Sequence, residues 1–339
     1  MKKLIAIISA AVLLGAASAS AQSFETGYFL DNYSYGHRIN PALRSETNVI
    51  GIAISNIDLN ASSNVGLGSF LFPKGGQLVT GLNSQVSSSE FLSALQDKNY
   101  LGECLNFNIL TVGFWGKGGK GFHTIELNVR EVVQANIPKD LFSFLKNGGV
   151  GNTYDLSGLN VAMNAFAEFA YGYSHKITDN ITVGGRAKLL LGIAGTDITA
   201  NKMKVALTDG GTTLDSDASI RIASGGASMS TKDGYYDLST LGINSGKLLG
   251  VNGFGAAVDL GVTYDNNDGL VASLAVNDLG GISWKYNITG NSVSGTTEGV
   301  AQSLDEMASV ANFKPSGEGS GLKMLTFTVN AGARYAMPI

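Results

Sequence analysis

Glu126, Arg130, Glu168, Arg186, Lys188, Asp259 and Arg334 each fall on the polar side of a segment that alternates apolar and polar residues. Successive side chains of a strand point to opposite faces, so these charges share the face that the apolar residues avoid. Two kinds of chemistry fit them. Acids and bases enclosed together make a self-neutralising network that stiffens its surroundings; left open, they make a polar path or a clamp on a ligand. Catalysis finds no support, because the sequence holds no nucleophile elbow, phosphate loop or HExxH. Gly253-Phe254-Gly255 would need a helix opening after it to bind a nucleotide, and there the strand pattern simply continues. An Asp/Asn/Gly turn accounts for the carboxylates of Asp265 and Asp268. Cys104 is the single cysteine, which excludes an intrachain disulfide and a cysteine-based zinc site. His37, His123 and His175 are far apart in sequence. We therefore expect no catalytic residue, no cofactor and no metal, and do not read the chain as an enzyme.

The elements that must position these charges are long strands. In 251–264, Phe254, Ala256, Val258, Leu260, Val262 and Tyr264 form one face, while Gly253, Gly255, Ala257, Asp259, Gly261 and Thr263 form the other. A strand in a soluble sheet runs about five or six residues, whereas a tilted membrane-spanning strand needs about 9–11. Segments 160–174 and 180–194 make the clearest hairpin. Their apolar faces are both odd-numbered, so the turn must hold an odd number of residues, and 176–180 would set Glu168 opposite Lys188 with Arg186 diagonal to it. Further strands are expected at 49–59, 64–72, 104–115, 122–130, 270–278 and 324–337, with a bulge near Ile109 or Leu110 where the alternation changes phase. In the last strand, Arg334 points inward with Thr326, Thr328 and Asn330. Ser87 to Glu90 reads as a capping box, Pro138 as the start of a second short helix and Gly148 as its stop, and Ser303 to Glu306 as a further cap. Short turns follow 115, 174 and 264, and one is expected after 59, while long segments follow the other strands. The longest, 195–250, reads as a loop carrying short strands near 202–207 and 219–223 that extend the hairpin. Tight turns at one end and long loops at the other characterise outer-membrane barrels.

The fold expected is all-β: an antiparallel transmembrane β-barrel of about 10–14 strands with short helices in its long loops. The clear strands number about nine, or about eleven with two weak ones, while bacterial barrels use even numbers. One strand is therefore left to find, beyond Ile339 or in the N-terminal segment. Lys2, Lys3, the apolar run 4–14 and the Ala19-Ser20-Ala21 site read as a signal peptide over 1–21. Charged residues at 15% and a net charge of −4 with 45 glycines do not suit a nucleic-acid-binding or disordered chain. The mature chain then divides into an N-terminal segment, 22–47, and a barrel, 48–339. Tyr28, Phe29, Tyr33, Tyr35 and Ile39 make the segment too apolar for a free tail, and it lacks the alternation of a strand. Irregular backbone at membrane depth is tolerated where protein or a watery cavity surrounds it. We expect the segment to plug the lumen through Arg38, Asn40, Pro41 and Ala42, with Arg38 reaching Asp259, Glu126 or Glu168; the alternative is a strap on the outside.

The phrases GFGAAVDLGVTYD, VASLAVNDLGGISW and KITDNITVGGRAKLLLG, with the early INPAL, resemble an outer-membrane barrel family of unknown function from Bacteroidota. Locally they are also similar to FadL-type barrels and PorV-like secretion components. Only Asn40, Pro41 and Ala42 match the Asn-Pro-Ala motif of the FadL-type plug, and the last strand lacks the usual terminal aromatic residue. The resemblance implies an outer-membrane location, lipid as surroundings, and one of two functions. The first is binding or passage of a small hydrophobic molecule. The second is a non-transporting barrel that serves as scaffold or partner protein in secretion or surface assembly. No nucleic acid is expected as a partner.

Overall fold

The computed structural model describes residues 33–247, 250–299 and 312–335. The leader, Tyr28 and Phe29, the Ser303 cap and the chain beyond Tyr335 lie outside the described residues. Ten strands carry the main sheet: β1 (Val49–Ser63), β2 (Lys98–Trp115), β3 (Gly121–Pro138), β4 (Asn160–Lys176), β5 (Ile181–Thr208), β6 (Gly211–Ala223), β7 (Gly253–Asp265), β8 (Leu270–Tyr286), β9 (Gly319–Met324) and β10 (Thr328–Tyr335). All pairings are antiparallel. The order is β1-β2-β3-β4-β5-β7-β8, after which β9 and β10 share the far edge of β8, while β6 pairs with the distal end of β5. With the short strands that pair at its long-loop end the sheet has 14 strands, within the expected 10–14, and among the described residues it is not closed between β1 and β9–β10.

The connections sort by length. Residues 116–120, 177–180 and 266–269 are tight turns at one end, whereas 64–97, 139–159, 209–252 and 287–318 are long excursions at the other. The strand expected at 64–72 is one correction: the chain leaves β1 through a 3-10 turn at Leu67–Ser69 and a small hairpin, Leu71–Lys74 with Gln77–Thr80. The helices stand where their caps placed them. α1 (Ser88–Ser93) is capped by Ser87 Oγ accepting from the Glu90 amide at 3.1 Å, and α2 (Lys139–Asn147) starts after Pro138 and stops at Gly148. The Ile109 bulge is present too, between Asn108 and Leu110 of β2.

Burial along the strands runs opposite to that of a water-soluble sheet. In β7 the even residues face out and the odd ones in: Phe254 is 57% exposed and Leu260 56%, while Asp259 is 1% exposed. The same holds for Ile50, Ile52 and Ile57 on β1, Phe169 on β4 and Leu189 on β5, all exposed, with Glu126, Glu168 and Arg186 buried. The pattern then reverses within a single strand. Around Lys188 the even residues of β5 are buried; beyond a bulge at Asn201 the buried residues are Met203, Val205 and Leu207, and Lys202 and Lys204 face solvent. Two extra residues lie between these stretches, Ile193 against β4 and Asn201 against β6, and each shifts the parity of the faces. Distal to that bulge, β5 and β6 join Phe144 of α2, Tyr154, Ile288 and Phe313 in an ordinary apolar core, a cap on the long-loop end. The segment 195–250 thus does extend the hairpin, with β5 running unbroken to Thr208.

Candidate functional site

The inward face gathers the charges. Arg186 bridges Glu126 on one side and Asp259 on the other, the latter at 3.0 Å. Lys188 reaches Asp259 at 2.7 Å and Asp278 at 2.6 Å. Arg130 binds Glu168 at 3.0 Å and takes Asp278 in a two-point clasp, 2.9 Å on each oxygen. Arg130 on β3 and Asp278 on β8 are separated in the sheet by β4, β5 and β7, so their contact requires the sheet to curl around the cluster. Arg130 also lies over the Phe166 ring, 5.4 Å from its centre. Every acid in the cluster meets a base, as burial of charge demands.

Six of the expected residues come together: Glu126, Arg130, Glu168, Arg186, Lys188 and Asp259. Arg334 does not. It is exposed near the end of the edge strand β10, opposite Val271, seven positions along β8 from Asp278. The expected register also shifts by two residues. The turn is odd, as parity requires, but Lys176 pairs with Thr182, so Lys188 faces Ala170 and Glu168 faces Leu190. Lys188 consequently pairs with Asp259 and Asp278, not with Glu168 opposite.

Asp278 is the member that alternation missed. The β7–β8 register slips between Val258 and Leu260, leaving Asp259 opposite the pair Asn277 and Asp278. Asp278 takes a left-handed backbone (φ 64), which aspartate tolerates better than most residues, and its amide donates to Asp259 Oδ1 at 2.7 Å. Two consecutive side chains thereby point inward. Asn277 donates to the Ile39 carbonyl at 2.9 Å while Asp278 meets Arg130 and Lys188.

The N-terminal segment sits against this face. His37 Nε2 lies 3.3 Å and Arg38 Nε 3.6 Å from Glu126 Oε1, so Arg38 chooses Glu126 among its expected partners. Asn40 donates to the carbonyls of Val262 (3.2 Å) and Leu274 (3.3 Å), and its Oδ1 accepts from the Ala42 amide at 2.8 Å. Asn330 of β10 donates to the Ile39 carbonyl at 2.9 Å, tying the segment to the far edge of the sheet. Pro41 approaches so closely that a Cβ at Gly184 would overlap its backbone, as one at Gly261 would overlap Asn40. His37, Asn40 and Ala42 are buried, and burial pushes the Tyr33 hydroxyl up to about 12. Arg38, Asn40, Pro41 and Ala42 therefore lie inside the curl, not on its outer surface.

Beyond the cluster, toward the cap, the curled sheet lines a partly open cavity of about 440 Å³ reaching both edges, β1 and β9–β10. Among the described residues no group of histidine, cysteine, aspartate or glutamate has the arrangement of a metal site, and no helix is long and apolar enough to cross a membrane. The outward face at the tight-turn end carries an aromatic row: Phe114 stacks on His123 at 5.0 Å, His123 Nδ1 bonds the Tyr171 hydroxyl at 2.8 Å, and Tyr173 bonds His175 at 3.1 Å.

The model of a family of unknown function, DUF5723, matches residues 41–338. The chain belongs to that family. The matched span takes in every strand of the DUF5723 sheet, the cluster and the Pro41–Ala42 end of the seated segment. No curated protein and no solved structure matches the chain.

Proposed function

We propose that this DUF5723 protein is an outer-membrane β-barrel protein that does not conduct freely and instead holds its cap at the membrane surface as a scaffold. The observation that carries the reading is the seated segment 36–42 over a fully paired charge cluster, which together occupy the interior at the tight-turn end. An apolar outward face bounded by an aromatic row supports the membrane location, since lipid rewards what water penalises. Tight turns at one end and long excursions at the other support it further, as do the signal-peptide features of the sequence. In lipid, β1 and β9–β10 must satisfy their edges, and pairing with each other would complete a barrel. The likeness to PorV-like secretion components agrees with a scaffold. Against the hydrophobic-cargo reading stands the charge cluster across the interior, which an alkyl chain would have to pass.

Two measurements test this. Reconstituted into a planar bilayer, the mature protein should show no stable conductance; a steady open pore would overturn the scaffold reading. The membrane location is tested at Leu189, which is 51% exposed. Leu189→Arg should cost about 2–4 kcal/mol if that position lies near the bilayer midplane, against about ±0.5 kcal/mol for an exposed residue in a water-soluble protein. Urea titration of folding into vesicles, read by heat-modifiable gel mobility, separates the two values.

A further inference from the structure

We propose that the cavity between the charge cluster and the cap binds a small solute rich in hydroxyl groups, of the sugar class. The inference rests on the cavity alone and holds whether or not the protein is a scaffold. Its volume, about 440 Å³, falls within the range of sites that enclose one small molecule.

The character of the wall selects the ligand. The charged groups at its floor are already engaged: Arg130 with Glu168 and Asp278, Lys188 with Asp278, and at the rim Lys323 with Asp197 at 2.7 Å. An anionic ligand would have to break these pairs to find a counter-charge, at the cost of leaving a buried charge alone. Apolar side chains meet the space at Val132 and Leu325, both partly exposed, whereas Phe166 at 0% and Trp284 at 1% are covered. The accessible polar groups include Asn60, Ser62, Gln134, Asn164, Thr326 and Thr328, drawn from β1, β3, β4 and the β9–β10 edge. Side-chain amides and hydroxyls donate and accept alike, as do the hydroxyls of a sugar, and Asp58 adds a carboxylate that accepts from them. Gln134 already spans the space to Thr326 at 3.2 Å, a bond that a ligand hydroxyl could replace on either side.

The chain has two tryptophans, so Trp115→Phe leaves Trp284, at the cavity wall, as the sole indole reporter. The full mature protein carrying that change, folded in detergent micelles, would be titrated with glucose, galactose, N-acetylglucosamine, maltose and lactose, and separately with laurate. We expect saturable change in Trp284 emission with at least one sugar at up to millimolar concentration, and none with laurate. Asn164→Leu and Gln134→Leu should each weaken that sugar about tenfold, about 1.4 kcal/mol, with gel mobility of the folded form unchanged. Silence with every sugar, saturation by laurate instead, or sugar binding indifferent to both substitutions would each overturn the proposal.

Discussion

Arg186→Met should destabilise the folded protein by about 3–5 kcal/mol, the largest loss expected from any single side chain in the cluster. Arg186 is 5% exposed and serves Glu126 and Asp259, both of which are essentially without solvent. Removing it leaves two carboxylates that water cannot reach and that Lys188, His37 and Arg38 compensate only in part. The cost comes from the stranded acids more than from the lost attraction, and that has a consequence. Adding Glu126→Gln to Arg186→Met removes one stranded charge while keeping its shape, so the double variant should recover part of the loss. Urea unfolding from vesicles, followed by unboiled gel mobility, measures all three proteins. A double variant as unstable as the sum of its parents would show that the cluster is not held together by charge compensation.

The same cluster shows what periodicity can and cannot deliver. Six members were legible because a strand has period two and each sits at a polar position of a clean alternating run. Asp278 was hidden because a bulge made two neighbours share a face, and a bulge at a left-handed aspartate leaves no mark in a hydrophobicity pattern. Arg334 had the right parity, but parity says which face a residue takes, not how far the opposite wall extends. Around β10 that wall has ended. The register error between β4 and β5 has a similar origin: parity required an odd turn and could not choose between neighbouring ones two residues apart. The cap was half legible. The weak strands near 202–207 and 219–223 exist, but the parity of β5 shifts twice, at Ile193 and at Asn201, and only pairing with β4 and β6 reveals it. The strand expected at 64–72 was misplaced because the chain there carries strand-forming residues that bend back on themselves in a small hairpin.

Gly184→Val should expel the N-terminal segment from its seat without altering any residue of that segment. A Cβ at Gly184 would overlap the Pro41 backbone, and backbone cannot move aside as the tip of a flexible side chain can. The neighbouring contact at Gly261 fixes Asn40 from the next strand, so the segment has no room to slide within the groove. Its polar anchors, Asn40 to β7 and β8 and the Ile39 carbonyl to Asn277 and Asn330, are then lost together. Arg38 is buried in the parent and should resist trypsin there; in Gly184→Val the Arg38–Ile39 bond should be cut while the sheet remains folded. Conductance should rise in the same variant, because the expelled segment no longer fills the interior. Deleting residues 33–42 supplies the reference for a vacated seat. Should Gly184→Val leave Arg38 protected and the bilayer current flat while the deletion opens both, the seat would be shown to yield elsewhere. If the deletion also leaves the current flat, the segment is not what closes the interior, and the paired cluster behind it does so alone.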